Sequence, residues 1–356
     1  MPLSDPSAGH SVLILAGGRG ERFWPWSRPE RPKQLLPLAR GGRTLLGATL
    51  ERALRLAPRE RVLILTARDL VAAVRDECPG VAVVGEPAPR NTAPAIGAAA
   101  AWFRGRGSGA FIVLPSDHLI DDVDAFVADA GRAFAAAERE RVLLTFGIPA
   151  SGPETNFGYI QRGAQVGPRL HRVAHFTEKP DRARAQQYVA GGEHLWNSGM
   201  FVWRPDVFLD ALEASRPALA APLRGLAAAA GDERVFERAL DPLFAGLEAI
   251  SVDYAVLEHA PNTLVLEATF DWDDLGSWSA WARRQPRDAD GNVTFGDAVA
   301  VQCRRCIVVG EGGTAAALGL EDMVVVHVGD STLACRLEET DRVRQVSEAV
   351  RERGKR

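Results

Sequence analysis

Between Ala16 and Leu38 the chain reads AGGRGERFWPWSRPERPKQLLPL, a set of residue types suited to a polyphosphate. Gly17, Gly18 and Gly20 leave main-chain N–H groups uncovered, so an anion can approach them closely. Arg19, Arg22, Arg28 and Lys33 add cations within the same stretch. It is not a P-loop, because no G-x-x-x-x-G-K-[ST] occurs. Nor is it the dinucleotide fingerprint, because Gly20 is followed by Glu-Arg-Phe instead of a third spaced glycine. GGRG taken alone also fits a structural turn carrying solvated arginines.

Asp117 closes the run FIVLPSD, where a carboxylate can hold a hard cation or cap a helix N-terminus. His118 beside it is an imidazole ligand or base on one reading and a structural support of the loop on the other. Glu178–Lys179 offers acceptors and a flexible cation, or a surface salt bridge. Cys303-x-x-Cys306 has the inner spacing of a zinc site but neither a second such pair nor a nearby His pair. Four cysteines in a chain of this length make no disulfide framework.

The elements that must position these residues alternate. Continuous apolar runs at Val12–Ala16, Val62–Thr66 and Phe111–Leu114 are separated by Ala-rich helical stretches, the rhythm of βαβ units with a sheet covered by helices. In such α/β sheets ligands collect beyond the carboxyl ends of the strands. From Asp288 onward short strands are broken by Gly, Asp and Asn turns. Glu338–Arg356 reads as one amphipathic helix. The Pro/Asp/Gly cluster at Pro286–Asn292 divides a catalytic domain, 1–287, from a small β-rich domain with a C-terminal helix, 288–356.

A length of 356 residues suits about two domains. Hydrophobic residues at 46% and charged residues at 25% exclude disordered and fibrous classes. A formal charge of −4 with both signs intermixed leaves no basic face for nucleic acid and no polybasic tract for a membrane surface. The N-terminal apolar run is too short for a membrane span and has no basic region before it, so no signal peptide is expected and the protein is assigned to the cytoplasm.

With Trp24-Pro25-Trp26-Ser27-Arg28 and Pro32-Lys33-Gln34 inside it, the first segment resembles the signature of the nucleotide-sugar pyrophosphorylases, in the form carried by mannose-1-phosphate guanylyltransferases. Further blocks resemble that family's in its order: EPAPRNTAPAIGAAA (86–100), VLPSDHLI (113–120), GIPASGPETNFGYIQRG (147–163), FTEKPD (176–181), LWNSGMFVWR (195–204), SVDYAVLE (251–258) and FDWDDLGSW (270–278). The likeness runs from Val12 to the C-terminus.

The resemblance implies an α/β fold: a Rossmann-like, mostly parallel mixed sheet flanked by helices, of the nucleotide-diphospho-sugar transferase type. A small left-handed β-helix-like domain follows, which in the family can contribute to dimer contacts, so a homodimer is expected. It also implies GTP and mannose 1-phosphate as substrates and magnesium as cofactor, with Asp117 and Asp274 as the metal ligands and Asp273 beside them. Arg22 and Lys33 would stabilise the triphosphate and the departing pyrophosphate. Ala16, Gly17, Gly18, Arg19, Gly20, Arg90, Asn91, Thr92 and Ser116 would surround the nucleotide. Gly158, Tyr159, Glu178, Lys179, Asn197 and Ser198 would surround the sugar phosphate. The residue types do not separate guanine from adenine; guanine rests on the resemblance.

The sugar 1-phosphate oxygen is already ionised near pH 7, so positioning and charge neutralisation suffice and no Ser, Cys or His nucleophile is needed. Many relatives continue into a cupin-like isomerase domain; with Arg356 as the last residue here, a single activity is expected. The rivals are a uridylyl- or thymidylyltransferase for glucose 1-phosphate, a non-catalytic nucleotide-sugar-binding paralogue, and a Rossmann oxidoreductase.

Overall fold

The computed structural model describes residues 9–353. The reading of the extreme N-terminus and the last residues of the expected C-terminal helix therefore lie outside the described residues. The chain forms two compact units, and neither is one run of sequence. The first comprises Met1–Gly17, Thr49–Ser116 and Ile120–Trp272; the second comprises Gly18–Ala48, Asp117–Leu119 and Asp273–Arg356. The expected boundary after residue 287 follows chain order, whereas this division follows packing, and it groups the signature segment and Asp117 with the C-terminal residues.

In the first unit the continuous apolar runs become β1 (Ser11–Ala16), β2 (Val62–Ala67), β3 (Ala82–Glu86) and β4 (Phe111–Pro115). They pair in parallel, as strands buried on both faces do. The helices of this stretch are α1 (Leu45–Leu54), whose first residues belong to the second unit, α2 (Val71–Glu77) and α3 (Thr92–Gly105). The chain continues through α4 (Val123–Arg139), β5 (Leu143–Pro149), β6 (Tyr159–Gly167), β7 (Leu170–Thr177) and α5 (Arg182–Gly191). It then forms β8 (His194–Trp203), α6 (Pro205–Ser215), α7 (Pro217–Gly225), α8 (Glu233–Phe244) and β9 (Thr263–Glu267).

The nine strands run β3-β2-β1-β4-β8-β5-β9-β7-β6, with a further β8–β6 pairing. β8 lies antiparallel to both β4 and β5, so the sheet is mixed. The alanines of α3 are buried along its length, and its Trp102 meets Phe236 of α8 edge-on at 5.0 Å. Among the described residues no helix is long and apolar enough to cross a membrane.

In the second unit β10 (Val293–Val301), β11 (Ile307–Leu318) and β12 (Met323–Val328) are parallel neighbours joined by short turns, and β13 (Ser331–Arg336) closes the sheet antiparallel. Short turns between parallel strands force the chain to coil, each strand stacking on the last, because a flat sheet would need a long crossover. Trp26 of the signature segment sits at the centre of this unit. Its ring stacks on Trp278 at 5.7 Å, meets Trp281 edge-on at 5.7 Å and lies 5.0 Å from Phe295. Trp278 and Trp281 belong to α9 (Trp278–Arg283).

The expected C-terminal helix begins later than its charge pattern suggests. Leu337–Arg342 is a 3₁₀ turn, and α10 (Val343–Arg353) follows. Thr340 and Val343 are the buried residues here, and three-residue spacing matches a 3₁₀ repeat.

Candidate active site

The second unit contains a cleft of about 350 Å³ lined by Arg19, Gly20, Glu21, Arg22, Phe23, Lys33, Asp117, His118, Asp274, Leu275, Gly276 and Arg344. Four residues expected to carry the chemistry, Arg22, Lys33, Asp117 and Asp274, are thus brought together, with Arg19 and Gly20 beside them. Lys33 is buried, and its Nζ donates to Asp117 Oδ2 at 2.9 Å and to the Asp274 carbonyl oxygen at 2.5 Å. One ammonium therefore ties two segments that are far apart in sequence.

Gly20 makes that approach possible. Its φ is 60°, and a Cβ there would lie 2.2 Å from Lys33 Cβ, so a side chain would displace the lysine. The loop around it is held by Ser27 Oγ donating to Gly20 O at 2.7 Å and Gln34 Nε2 donating to Gly18 O at 3.0 Å.

The two carboxyls differ in electrostatics. For Asp117, burial works against the charged form, but Lys33 and then His118 outweigh it and hold the carboxyl below its ordinary value. For Asp274, burial raises the carboxyl; Lys33 and Arg22 oppose this, while Asp273 and Asp117 reinforce it. Asp273 is engaged elsewhere, accepting from Leu275 N at 2.8 Å and pairing with Arg284 at 3.4 Å. Asp117 is not a helix cap: Asp122 caps α4, accepting from Ala125 N at 3.0 Å. Arg28 departs from the expectation that it serves a ligand. Its guanidinium donates to Val328 O at 2.9 Å and Asp330 Oδ1 at 3.1 Å, which joins the signature segment to the β-rich domain.

In the first unit the residues expected around the nucleotide divide into two kinds. Ala16 is buried at the end of β1, its carbonyl accepting from Thr66 Oγ1 at 3.0 Å, and Gly17 after it is exposed. Beside Gly17 stands the Glu86 carboxyl, pushed up to about 7 by burial, with Oε1 lacking a hydrogen-bond partner among the described residues. Ser116 is buried, its N–H on Leu15 O at 3.0 Å.

The side chains of Arg90, Asn91 and Thr92 are engaged within the fold. Arg90 donates to the carbonyls of Phe244 (2.6 Å) and Ala245 (2.5 Å) at the end of α8, where a cation is favoured. Asn91, at φ 65°, caps α3 through Thr92 N at 2.8 Å, and Thr92 Oγ1 accepts from Val252 N at 2.9 Å.

The sugar-phosphate group of residues is also assembled within the first unit. Gly158 leaves room for Glu178: a Cβ there would sit 2.6 Å from Glu178 Oε2. Asn197 N donates to Gly158 O at 2.8 Å, and Asn197 Nδ2 donates to Asp253 Oδ1 at 2.9 Å. Lys179 is mostly exposed and pairs with Glu178 at 3.1 Å. Tyr159 and Ser198 differ from expectation: the Tyr159 ring is fully buried against Tyr188, and Ser198 Oγ, also buried, accepts from Met200 N at 3.2 Å. Strand alternation points both side chains into the protein.

Asp253 was not singled out from sequence. Its carboxyl is pushed up to about 6, by burial first and by Glu178 second. It opens a π-helical turn, Asp253–Leu257, a departure from regular helix that the sequence does not signal.

A larger cavity of about 570 Å³ in the first unit, between Arg141, Ser215 and His259, contains none of the residues singled out for chemistry. Cys303 and Cys306 are buried in an apolar cluster, each thiol donating to main-chain carbonyls. No group of three or more His, Cys, Asp and Glu among the described residues is arranged to hold a metal.

Two family models match the chain: Nucleotidyl transferase over 11–291, and MannoseP isomerase/GMP-like beta-helix domain over 296–350. The xanthan biosynthesis protein XanB of Xanthomonas campestris pv. campestris is 39% identical over 343 residues, which is 95% of this chain and 72% of that protein. The mannose-1-phosphate guanylyltransferase of Escherichia coli is 37% identical over 348 residues, 96% of this chain and 74% of that protein. A crystal structure from Thermus thermophilus, described as a mannose-1-phosphate geranyltransferase, superposes with a TM-score of 0.87 at 36% identity, covering 96% of this chain and 99% of that one.

Proposed function

Because the chain belongs to the nucleotidyl transferase family, we propose that it joins GTP to mannose 1-phosphate, forming GDP-mannose and diphosphate, in the cytoplasm and as a homodimer. The observation that carries this reading is the buried Lys33 ammonium held between Asp117 and Asp274 in a cleft that also contains Arg19 and Arg22. Such a cleft suits an anion with several charges. The likeness to the mannose-1-phosphate guanylyltransferase of Escherichia coli supports GTP and mannose 1-phosphate as the pair.

In the reaction an oxygen of the sugar 1-phosphate attacks the α-phosphorus in line. The bond from that phosphorus to the bridging oxygen breaks, and the electron pair leaves with diphosphate. No proton has to move, so the residues position and neutralise. Arg22 makes no hydrogen bond among the described residues, so its donors are available to phosphate oxygens, and Lys33 stabilises the charge that develops on the leaving group. Glu178 and Asn197 bind sugar hydroxyls, and the exposed Lys179 turns from Glu178 to the sugar phosphate.

Asp117 and Asp274 would hold a magnesium ion, which when bound supplies positive charge beside the α-phosphate. The donor set fits: magnesium needs few protein ligands and takes oxygen, and a cation would relieve the repulsion that Asp117 and Asp273 exert on Asp274.

The test is diphosphate release by the purified protein with magnesium, each nucleoside triphosphate and each sugar 1-phosphate. GTP with mannose 1-phosphate is expected to give the highest kcat/KM; a preference for UTP or dTTP would refute the base assignment. Asp117→Ala and Asp274→Ala are each expected to lower turnover by roughly 10²–10³-fold or more with circular dichroism unchanged. Near-normal turnover in either variant would remove that residue from its role, whereas absence of turnover by the wild type with every pair would argue for a non-catalytic paralogue. Light scattering of the same sample reads the dimer.

A further inference from the structure

The cleft contains one cation that its signature segment does not supply. Arg344 comes from the first turn of α10, and it lines the cleft together with Arg19, Arg22 and Lys33. Its contacts are partial. Arg344 Nε lies 3.1 Å from Glu21 Oε2 and 2.8 Å from Glu348 Oε1, and its two terminal nitrogens have no partner among the described residues. The side chain is 65% exposed, so this pairing is screened by water and weak enough for a more highly charged anion to displace.

Glu21, which also lines the cleft, does not depend on Arg344, because its other oxygen, Oε1, is paired with Arg351. The carboxylate therefore stays neutralised when Arg344 turns away. A planar guanidinium with unpaired donors beside Lys33 and Arg22 has the geometry that takes phosphate oxygens two at a time.

We propose that Arg344 is a polyphosphate-binding residue of this cleft, and that Glu21 holds its guanidinium until the triphosphate or diphosphate takes it. This rests on the reading above and adds to it: the C-terminal helix, outside the signature segment, completes the anion site. Glu21 then acts as a placeholder that keeps Arg344 pointed at the cleft in the absence of ligand.

The experiment uses the full chain, with inorganic diphosphate as probe. In the reverse reaction with GDP-mannose, Arg344→Met is expected to raise the KM for diphosphate roughly tenfold or more, the loss of one charge-assisted contact, while the KM for GDP-mannose changes less than about twofold. Arg344→Lys recovers part of the loss. Glu21→Gln, which releases Arg344, is expected to lower the KM for diphosphate. Calorimetric titration of magnesium diphosphate into the same proteins gives the same order without turnover.

A diphosphate affinity for Arg344→Met within twofold of wild type would overturn the proposal. So would a loss in Glu21→Gln equal to that in Arg344→Met, since the pair would then only brace the loop. Failure of the wild type to turn over GTP and mannose 1-phosphate counts against the proposed reaction, whereas the calorimetry judges Arg344 independently of it.

Discussion

Glu86 sets a sign for the pH dependence of stability. Its carboxyl titrates near 7 in the folded chain against an ordinary value of 4.5, because burial disfavours the charge and Oε1 has no hydrogen-bond partner among the described residues. Below about pH 4.5 both folded and unfolded chains are protonated there, and the residue contributes nothing to the pH slope. Between about 4.5 and 7 the unfolded chain releases a proton that the folded chain keeps, so stability falls as pH rises, by roughly 3 kcal/mol when the change is complete. Glu86→Gln removes this contribution. Urea unfolding should find the variant more stable than wild type at pH 8 and nearly equal to it at pH 4; a difference independent of pH would show that Glu86 is not buried as a neutral acid.

At the scale of elements, Asp129 joins pieces that lie far apart in sequence. From α4 its carboxylate accepts from Arg169 Nη2 at 2.6 Å, in the turn between β6 and β7, and from Thr269 N and Oγ1 at 2.8 and 2.9 Å, just after β9. Burial opposes its charge, but these hydrogen bonds outweigh burial and hold the carboxyl below its ordinary value. Asp129→Ala leaves Arg169 without this partner and two donors unmet. Because Arg169 is partly exposed, the expected loss is about 3 kcal/mol, the lower end for breaking a buried pair. A shift of the urea midpoint at constant slope measures it, and a loss below about 1 kcal/mol would show the network to be replaceable.

Such ties explain what sequence did and did not disclose. β1, β2 and β4 were legible because strands buried on both faces must be apolar throughout. Lys33, Asp117 and Asp274 were legible because their blocks carry a recognisable signature. The contacts of Arg90 were not legible because its partners, the carbonyls ending α8, lie more than 150 residues away, and a main-chain acceptor leaves no mark on composition. The antiparallel course of β8 was hidden for a similar reason: LWNSGMFVW is apolar enough for either direction, and the connections before and after it decide.

At the scale of the whole chain, the second unit makes the signature segment dependent on residues some 250 positions later. Trp26 lies among Trp278, Trp281 and Phe295, and the same core takes Val293, Ile307, Val309, Val324 and Val326 from the strands of the β-rich domain. Arg28 and Arg31 are fixed by Asp330 and Glu311. A chain ending at Arg287 would keep the whole signature segment, Ala16 to Leu38, yet lose this support. Each buried aliphatic or aromatic side chain contributes about 1.5–3 kcal/mol, and the net stability of a domain is only about 5–15 kcal/mol, so removing five or more such partners exceeds what the remainder can sustain. The loop carrying Gly20 and Lys33 would then have no fixed path, and Lys33 could not be held on Asp117 and Asp274. We therefore expect the 1–287 fragment to aggregate, or to remain soluble with the near-ultraviolet circular dichroism of Trp26, Trp278 and Trp281 lost and that of Trp102 and Trp203 in the first unit kept, and in either case to lack turnover. A soluble fragment with wild-type kcat/KM would mean that the signature segment orders itself, and that Trp26 packs against the β-rich domain without depending on it.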